Sequence, residues 1–192
     1  MELFIDTETS DKFDFKRDDY RDEGFPWCVQ VGAVLAHENV VYAELNCIVA
    51  AEGREISNEA FRVHNISYED SERYGLDEGL VVSALLDIVS KQPTIVCHNY
   101  SFDAQILAAM IYRQGYAKAA QDFLATPHFC TMLATTDLCK LPGKYGKFKW
   151  PKLDELHKHL FQTGFQGAHD AMYDIRATMK CFYQLKEIGW IR

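Results

Sequence analysis

The sequence lacks the features that mark several large classes of protein. It has no stretch of 18 or more apolar residues, so a transmembrane helix is not expected. The amino terminus has neither a basic segment nor a small-residue cleavage site, which argues against a secretory signal. The six cysteines form no C-x-x-C pair, and their wide spacing predicts reduced thiols and neither a disulfide framework nor a zinc site. These absences predict a cytoplasmic protein that does not bind membranes.

Basic charge is also scarce, because 20 lysine and arginine residues face 28 acidic residues and leave a net charge of -8. A protein that binds nucleic acid through its overall charge is therefore not expected. Residues 1–24 hold nine acids and four bases, whereas residues 140–152 hold five lysines and no acid. Tyr145, Phe148 and Trp150 lie between those lysines. This segment is either an ordinary solvated loop or a surface for single-stranded nucleic acid, and the sequence favours neither.

The length of 192 residues suits one domain spanning residues 1–192, and the 48% of apolar residues can fill its core. Neither an internal repeat nor a low-complexity linker divides the chain. The periodicity of apolar residues predicts strands over residues 3–5, 28–36, 40–49 and 94–97, and helices over residues 78–90, 102–112, 153–160 and 175–188. A hairpin followed by alternating helices and strands predicts an α/β domain with a mixed β-sheet flanked by helices.

Three short segments carry carboxylates next to predicted elements. Asp6 and Glu8 end the first strand on the same face, where a divalent cation would offset their repulsion. Asp103 lies near the start of the helix after strand 94–97, and Asp174 lies in the first turn of the last helix. Taken singly, each is better explained as a solvated strand end or as an acid favoured by the helix dipole.

Taken together, the three segments resemble the DEDD superfamily of 3′–5′ exonucleases. The sequence has D-x-E at residues 6–8, N-x-x-F-D at residues 99–103 and H-x-x-x-x-D at residues 169–174, in that order. The last motif is similar to that of the His-containing branch, which is called DEDDh or DnaQ-like. The resemblance extends over residues 4–185 and implies a ribonuclease-H-like (exonuclease) fold.

The resemblance also implies a reaction, which is hydrolysis of phosphodiester bonds with two Mg²⁺ or Mn²⁺ ions. The substrate that it implies is a single-stranded 3′ end of nucleic acid, with DNA favoured over RNA. It implies the metal ligands Asp6, Glu8, Asp103 and Asp174, the general base His169, and the substrate-binding residues Thr7, His64, Asn99 and Phe102. For Phe102, ordinary core packing is a serious alternative.

Finer features narrow the resemblance within the family. Residues 56–67 look like the family's segment between the β-hairpin and the second motif. Residues 130–133, the lysine-bearing loop and the motif at His169 look most like bacterial exodeoxyribonuclease X and its phage-encoded relatives. A polar insert at residues 11–25 and the composition of the segment 140–152 depart from that pattern. Three other functions remain open, namely trimming of RNA 3′ ends or short oligoribonucleotides, a nucleic-acid-binding or polymerase-partner module without catalysis, and a metal-binding fold with no role on nucleic acid. The resemblance is compatible with a homodimer and with a polymerase or repair partner.

Overall fold

The computed structural model describes residues 1–165 and 170–191. Its strands are β1 (Glu2–Thr9), β2 (Cys28–His37), β3 (Val40–Ile48), β4 (Thr94–Cys97) and β5 (His128–Cys130). Its helices are α1 (Asn58–His64), α2 (Tyr68–Tyr74), α3 (Glu78–Val89), α4 (Tyr100–Arg113), α5 (Ala117–Leu124), α6 (Thr131–Ala134), α7 (Thr136–Cys139), α8 (Leu153–Phe161) and α9 (Ala171–Glu187), with a 3-10 turn at Lys144–Gly146.

The five strands form one sheet in the order β3-β2-β1-β4-β5. The first three strands are antiparallel neighbours, whereas β4 pairs parallel with β1 and β5 pairs parallel with β4. Glu38 and Asn39, both with positive φ, form the turn between β2 and β3, as a tight hairpin requires. The predicted α/β fold, with a mixed sheet flanked by helices, is confirmed.

Helices cover both faces of the sheet, and β1 contributes to both cores. Leu3 and Ile5 pack on one face with α3 and α4, and Phe4 packs on the other face with α9. Because side chains alternate along a strand, Asp6 and Glu8 continue the face of Phe4, which α9 covers. The order of apolar residues in β1 thus determines which helix meets the acidic pair.

Several elements differ from the sequence-based expectation. β1 continues beyond residues 3–5 to Thr9, so the acidic pair lies within the strand. Helices α1 and α2 were not predicted, although Ser57 and Ser67 cap their amino termini. The apolar side chains of α1 do not form a buried stripe, since Phe61 and Val63 are 39% and 44% exposed. The periodic signal of an amphipathic helix is therefore absent from this segment.

The polar insert at residues 11–25 contains neither a helix nor a strand, as its sequence predicts. Its aspartates accept hydrogen bonds from its own backbone N–H groups; they are Asp14, Asp18, Asp19 and Asp22. Phe13 anchors the insert, because its ring stacks on Phe102 of α4 with centroids 5.0 Å apart. Many of the carboxylates in this segment thus stabilise its turns through hydrogen bonds with its own backbone.

Two expectations from the sequence concern the cysteines and transmembrane helices. All six cysteines are free thiols, and four of them are buried: Cys28, Cys97, Cys139 and Cys181. Within the described part of the chain, none of the helices is both long and apolar enough to cross a bilayer.

Candidate active site

Three of the predicted metal ligands meet on the face of β1 that α9 covers. One carboxylate oxygen from each of Asp6, Glu8 and Asp174 lies within 4.8 Å of the other two. Asp6 and Glu8 come from β1, and Asp174 comes from the first turn of α9. Carboxylate oxygens are the preferred ligands of hard divalent cations such as Mg²⁺ and Mn²⁺. The donor set and its spacing therefore fit a metal of this kind.

The fourth predicted ligand, Asp103, approaches the same strand from the first turn of α4. Its Oδ1 accepts a hydrogen bond from the backbone N–H of Thr7 at 3.0 Å and another from the Thr7 hydroxyl at 2.9 Å. Since Thr7 lies between Asp6 and Glu8, these bonds join α4 to the strand that carries the acidic pair. The hydroxyl of Thr7 is thus directed to Asp103, and its predicted contact with substrate stays a prediction.

The pKa values of these carboxylates lie above their usual range. Burial raises the pKa of Glu8 to about 8, with the charges of Asp174 and Asp103 adding to the effect. Burial also raises the pKa of Asp103 to about 7, although the hydrogen bonds from Thr7 oppose this rise. The pKa of Asp6 is raised well above its usual range by burial and then by the neighbouring acids. Because a cation would stabilise all of these anions, the electrostatics of the cluster also suit a metal site.

Asp170 is a further acid near the cluster that the sequence analysis does not single out. It caps α9, and its Oδ1 accepts hydrogen bonds from the backbone N–H groups of Met172 at 3.0 Å and Tyr173 at 3.4 Å. Its charge adds to the effect of burial on the pKa of Asp6 and Glu8. Its position one residue before the helix is the sequence signal of an N-cap, and that signal could have identified it.

We expect the free energy of unfolding of the metal-free protein to fall as the pH rises from about 5.5 to about 8.5. Glu8 and Asp103 have raised pKa values in the folded state, so they keep protons that the unfolded chain has already released. Their stabilising contribution is thus complete at low pH and is lost as the pH approaches 7 to 8. The melting temperature should fall by at least about 3 °C over this range.

The variant Asp6→Asn is the control for this pH dependence, because it removes one of the mutually repelling charges. Its melting temperature should fall less than that of the wild type between the same two pH values. An equal fall in the two proteins would show that these carboxylates do not cause the effect.

Gly32 on β2 lets α9 approach the sheet at this site. It pairs with Asp6 across the antiparallel β1–β2 ladder. A Cβ atom at this position would lie 2.5 Å from Cδ1 of Ile175 and 3.3 Å from Cβ of Ala171, both in the first turns of α9. Asp174 lies between these two residues in the sequence. The missing side chain of Gly32 therefore makes room for the helix turn that brings Asp174 to the strand.

We expect Gly32→Ala to lower the free energy of unfolding by about 1–3 kcal/mol, because the added methyl group overpacks the contact with Ile175. Activity should fall about 10-fold as Asp174 is displaced. Ile175→Val removes the Cδ1 atom that the methyl group would meet, so the double variant should recover most of both losses. Urea unfolding and turnover of the four proteins test this, and simple addition of the two single losses would contradict it.

A pocket of about 150 Å³ borders the carboxylates and is lined by Glu8, His64 and Phe102 among others. His64 is buried, and its Nδ1 accepts the backbone N–H of Ile66 at 3.0 Å, which leaves the proton on Nε2. Nε2 makes no hydrogen bond of normal length to the described residues, although the backbone of Thr9 lies near enough to oppose the effect of burial on the pKa. Burial lowers the pKa of His64, so the ring is a neutral donor near pH 7. A buried donor of this kind is suited to a polar ligand.

Asn99 does not line this pocket, although the sequence groups it with His64 and Phe102. It has a left-handed backbone, with φ of 77°, directly before α4. It lines a separate cleft together with Phe15 and Trp150. His64 and Phe102 therefore line the same pocket as Glu8, whereas Asn99 lines the separate cleft.

The remaining predicted site residue, His169, lies outside the described residues.

A comparison with family models gives an independent assignment of the chain. Residues 29–182, which are more than half of the sequence, match the RNase_T model of exonucleases. The chain belongs to this exonuclease family. The predicted class of enzyme is thereby confirmed, as is membership in the 3′–5′ exonuclease family, whereas the likeness to the exodeoxyribonuclease X subgroup stays a prediction.

Solved structures of exonuclease I from E. coli share the fold of this exonuclease domain. The zinc-bound complex with single-stranded DNA has a TM-score of 0.74 at 18% identity, covering 97% of this chain and 40% of that one. The complex with a dA16 oligonucleotide has a TM-score of 0.76 at 17% identity, covering 97% and 40%. The exonuclease chain thus spans about 40% of the length of these relatives. A search of curated proteins gave no match.

Proposed function

We propose that this member of the exonuclease family removes nucleotides from the 3′ ends of DNA by metal-dependent hydrolysis. The observation that carries the proposal is the cluster of Asp6, Glu8 and Asp174, whose ligand oxygens lie within 4.8 Å of one another. Asp103 lies beside this cluster through its two hydrogen bonds with Thr7. A module that only binds nucleic acid has no need of four carboxylates at one point, because they would repel phosphate.

Asp6, Glu8, Asp103 and Asp174 are the proposed ligands of two Mg²⁺ or Mn²⁺ ions. Such ions, when bound, lower the pKa of the attacking water and stabilise the charge on the leaving 3′ oxygen. The chain contributes the fixed arrangement of ligands: β1 carries two of them, α4 is tied to β1 through Thr7, and Gly32 admits α9. This arrangement holds the anions at one point, where bound cations would reverse the local sign of the charge and so allow the scissile phosphate to bind.

His169 is the proposed general base that takes the proton from the attacking water, a role suited to an imidazole near neutral pH. The proposed place of the terminal nucleotide is the pocket of about 150 Å³ beside Glu8. There, Nε2 of His64 would donate a hydrogen bond to the terminal sugar or phosphate, and Phe102 would contact the base or sugar.

Single-stranded DNA is the proposed polymer. The solved exonuclease I structures that share this fold hold single-stranded DNA and a dA16 oligonucleotide, which supports a strand of DNA as the substrate. We also propose that residues 1–192 act as a single exonuclease domain. Association with a second copy, or with a polymerase or repair protein, belongs to the same proposal.

The test is a time course with purified protein, Mg²⁺ and paired DNA and RNA oligonucleotides that carry a label at the 5′ end. A ladder that shortens from the 3′ end, faster for DNA and absent with EDTA, is the expected result. Faster shortening of the RNA would overturn the choice of polymer. Cleavage of neither polymer with Mg²⁺ or Mn²⁺ would overturn the exonuclease proposal and favour a binding module without catalysis.

A further inference from the structure

A second cleft of about 280 Å³ lies next to the candidate active site, between the two segments that depart from the family pattern. Phe15, from the insert at residues 11–25, and Trp150, from the segment 140–152, both line this cleft. These two side chains are 56% and 63% exposed, which is high for large aromatic residues. Asn99 and Ser101, at the start of α4, also line the cleft.

The cleft is connected to the nucleotide pocket by a series of aromatic rings. Phe102, which lines the pocket, stacks on Phe13 with centroids 5.0 Å apart and planes inclined by 13°. Phe13 in turn contacts Phe15 edge-to-face, with centroids 4.7 Å apart. A chain leaving the pocket past Phe102 would therefore reach the cleft within the length of a few nucleotides.

The backbone next to Trp150 is held in position by the half-buried imidazole of His98. Its Nε2 lies 3.0 Å from the carbonyl oxygen of Pro151, and its Nδ1 lies 3.0 Å from the hydroxyl of Thr131. The neutral ring thus donates to Pro151 from Nε2 and accepts from Thr131 at Nδ1. Trp150 precedes the residue that is tied down in this way, so its large exposed ring is carried by an anchored backbone.

The charge of the segment 140–152, which carries Trp150, suits a polyanion. Lys140, Lys144 and Lys147 of this segment are exposed, and none of them forms an ion pair with the described residues. The insert at residues 11–25 does not oppose this charge strongly, because Asp14 and Asp19 pair with its own arginines. A segment that combines an exposed aromatic ring with unpaired lysines has the elements of a surface that stacks bases and follows a phosphate backbone.

We infer that Phe15 and Trp150 form a base clamp that holds nucleotides upstream of the scissile bond in single-stranded DNA. The clamp rests on the proposed function, since it assigns the substrate of the same site. Unpaired bases have free faces that can stack on these rings, whereas the faces of paired bases are already stacked within the duplex. The insert at residues 11–25 and the segment 140–152 would thus select single-stranded substrates.

Binding in EDTA tests the clamp without hydrolysis. The probe is an oligothymidylate of about 12 nucleotides with a 5′ fluorescent label, followed by anisotropy. Phe15→Ala and Trp150→Ala should each weaken binding about 10-fold, and Trp150→Phe should restore most of the affinity. Tyr42→Ala is the matched control, because Tyr42 is an aromatic residue of β3 with 62% exposure and no part in the cleft. Equal binding by the wild type and the clamp variants would overturn the inference.

Kinetics separate failure of the clamp from failure of the exonuclease. The p-nitrophenyl ester of thymidine 5′-phosphate offers one nucleotide and leaves the clamp empty, so all four variants should hydrolyse it at the wild-type rate. On the oligonucleotide, the clamp variants should lose about 10-fold in kcat/KM, and abasic sites throughout the few nucleotides upstream of the terminal one should remove this difference. Undiminished rates on the oligonucleotide would overturn the clamp, whereas failure of the wild type on both substrates would overturn the exonuclease alone.

Discussion

Replacement of Asp6 or Asp174 by asparagine is expected to reduce 3′-terminal hydrolysis by at least about 10³-fold. Each change removes one negative charge from a cluster whose oxygens lie within 4.8 Å of one another, and so weakens the site for a divalent cation. Asparagine keeps the shape of the side chain, so the fold should be preserved. Single-turnover rates on a 5′-labelled DNA strand, with melting temperatures of the metal-free proteins, measure both effects.

Asp87→Asn is the matched control for these two variants. Asp87 is an exposed aspartate of α3 whose ion pair with Lys91 lies on the surface, and its loss should leave both rate and stability nearly unchanged. Full activity of Asp174→Asn would remove this residue from the proposed metal site. A melting temperature that falls together with activity would instead assign Asp174 a role in the packing of α9.

Replacement of His169 by alanine is expected to lower turnover by about 10²- to 10⁴-fold while metal binding persists. The reason is that the variant loses the proposed proton acceptor but keeps all four carboxylates. The rate of the wild type should rise with pH as the proposed base loses its proton, and the variant should lose this limb of the profile. Turnover against pH, with Mn²⁺ affinity from calorimetry, distinguishes loss of the base from loss of the metal.

His159→Ala provides the comparison for the histidine experiment, because His159 is an exposed histidine of α8. It should show the turnover and the pH profile of the wild type. If His169→Ala also retains the wild-type turnover, the proposed base is wrong, and another group or bulk solvent must accept the proton.

Much of the sheet could be predicted because its signals are local. Strand 94–97 was predicted with its observed bounds, and β2 and β3 each differ from the prediction by one residue at the carboxyl end only. The same local geometry explains the acidic pair, since the two-residue period of a strand places Asp6 and Glu8 on one face. Such inferences need only the neighbours of a residue along the chain.

Other features could not be predicted, because they depend on contacts between distant segments. Asn99 and Phe102 are three residues apart in the sequence, yet they line different cavities. The bonds from Thr7 to Asp103 join residues 96 positions apart, and a D-x-E pattern contains no sign of them. The cleft between Phe15 and Trp150 likewise requires two loops to approach each other in space.

The sequence by itself determined the composition of the candidate site: the pair on β1, the aspartate in the first turn of α4 and the aspartate in the first turn of α9. Local periodicity and helix-start signals are enough to assign each residue to its element. The tertiary structure alone decided that these elements meet, because the approach of α9 depends on the absence of a side chain at Gly32. It also decided the electrostatics, since the raised pKa values of Glu8 and Asp103 arise from burial and from charges that only folding brings near.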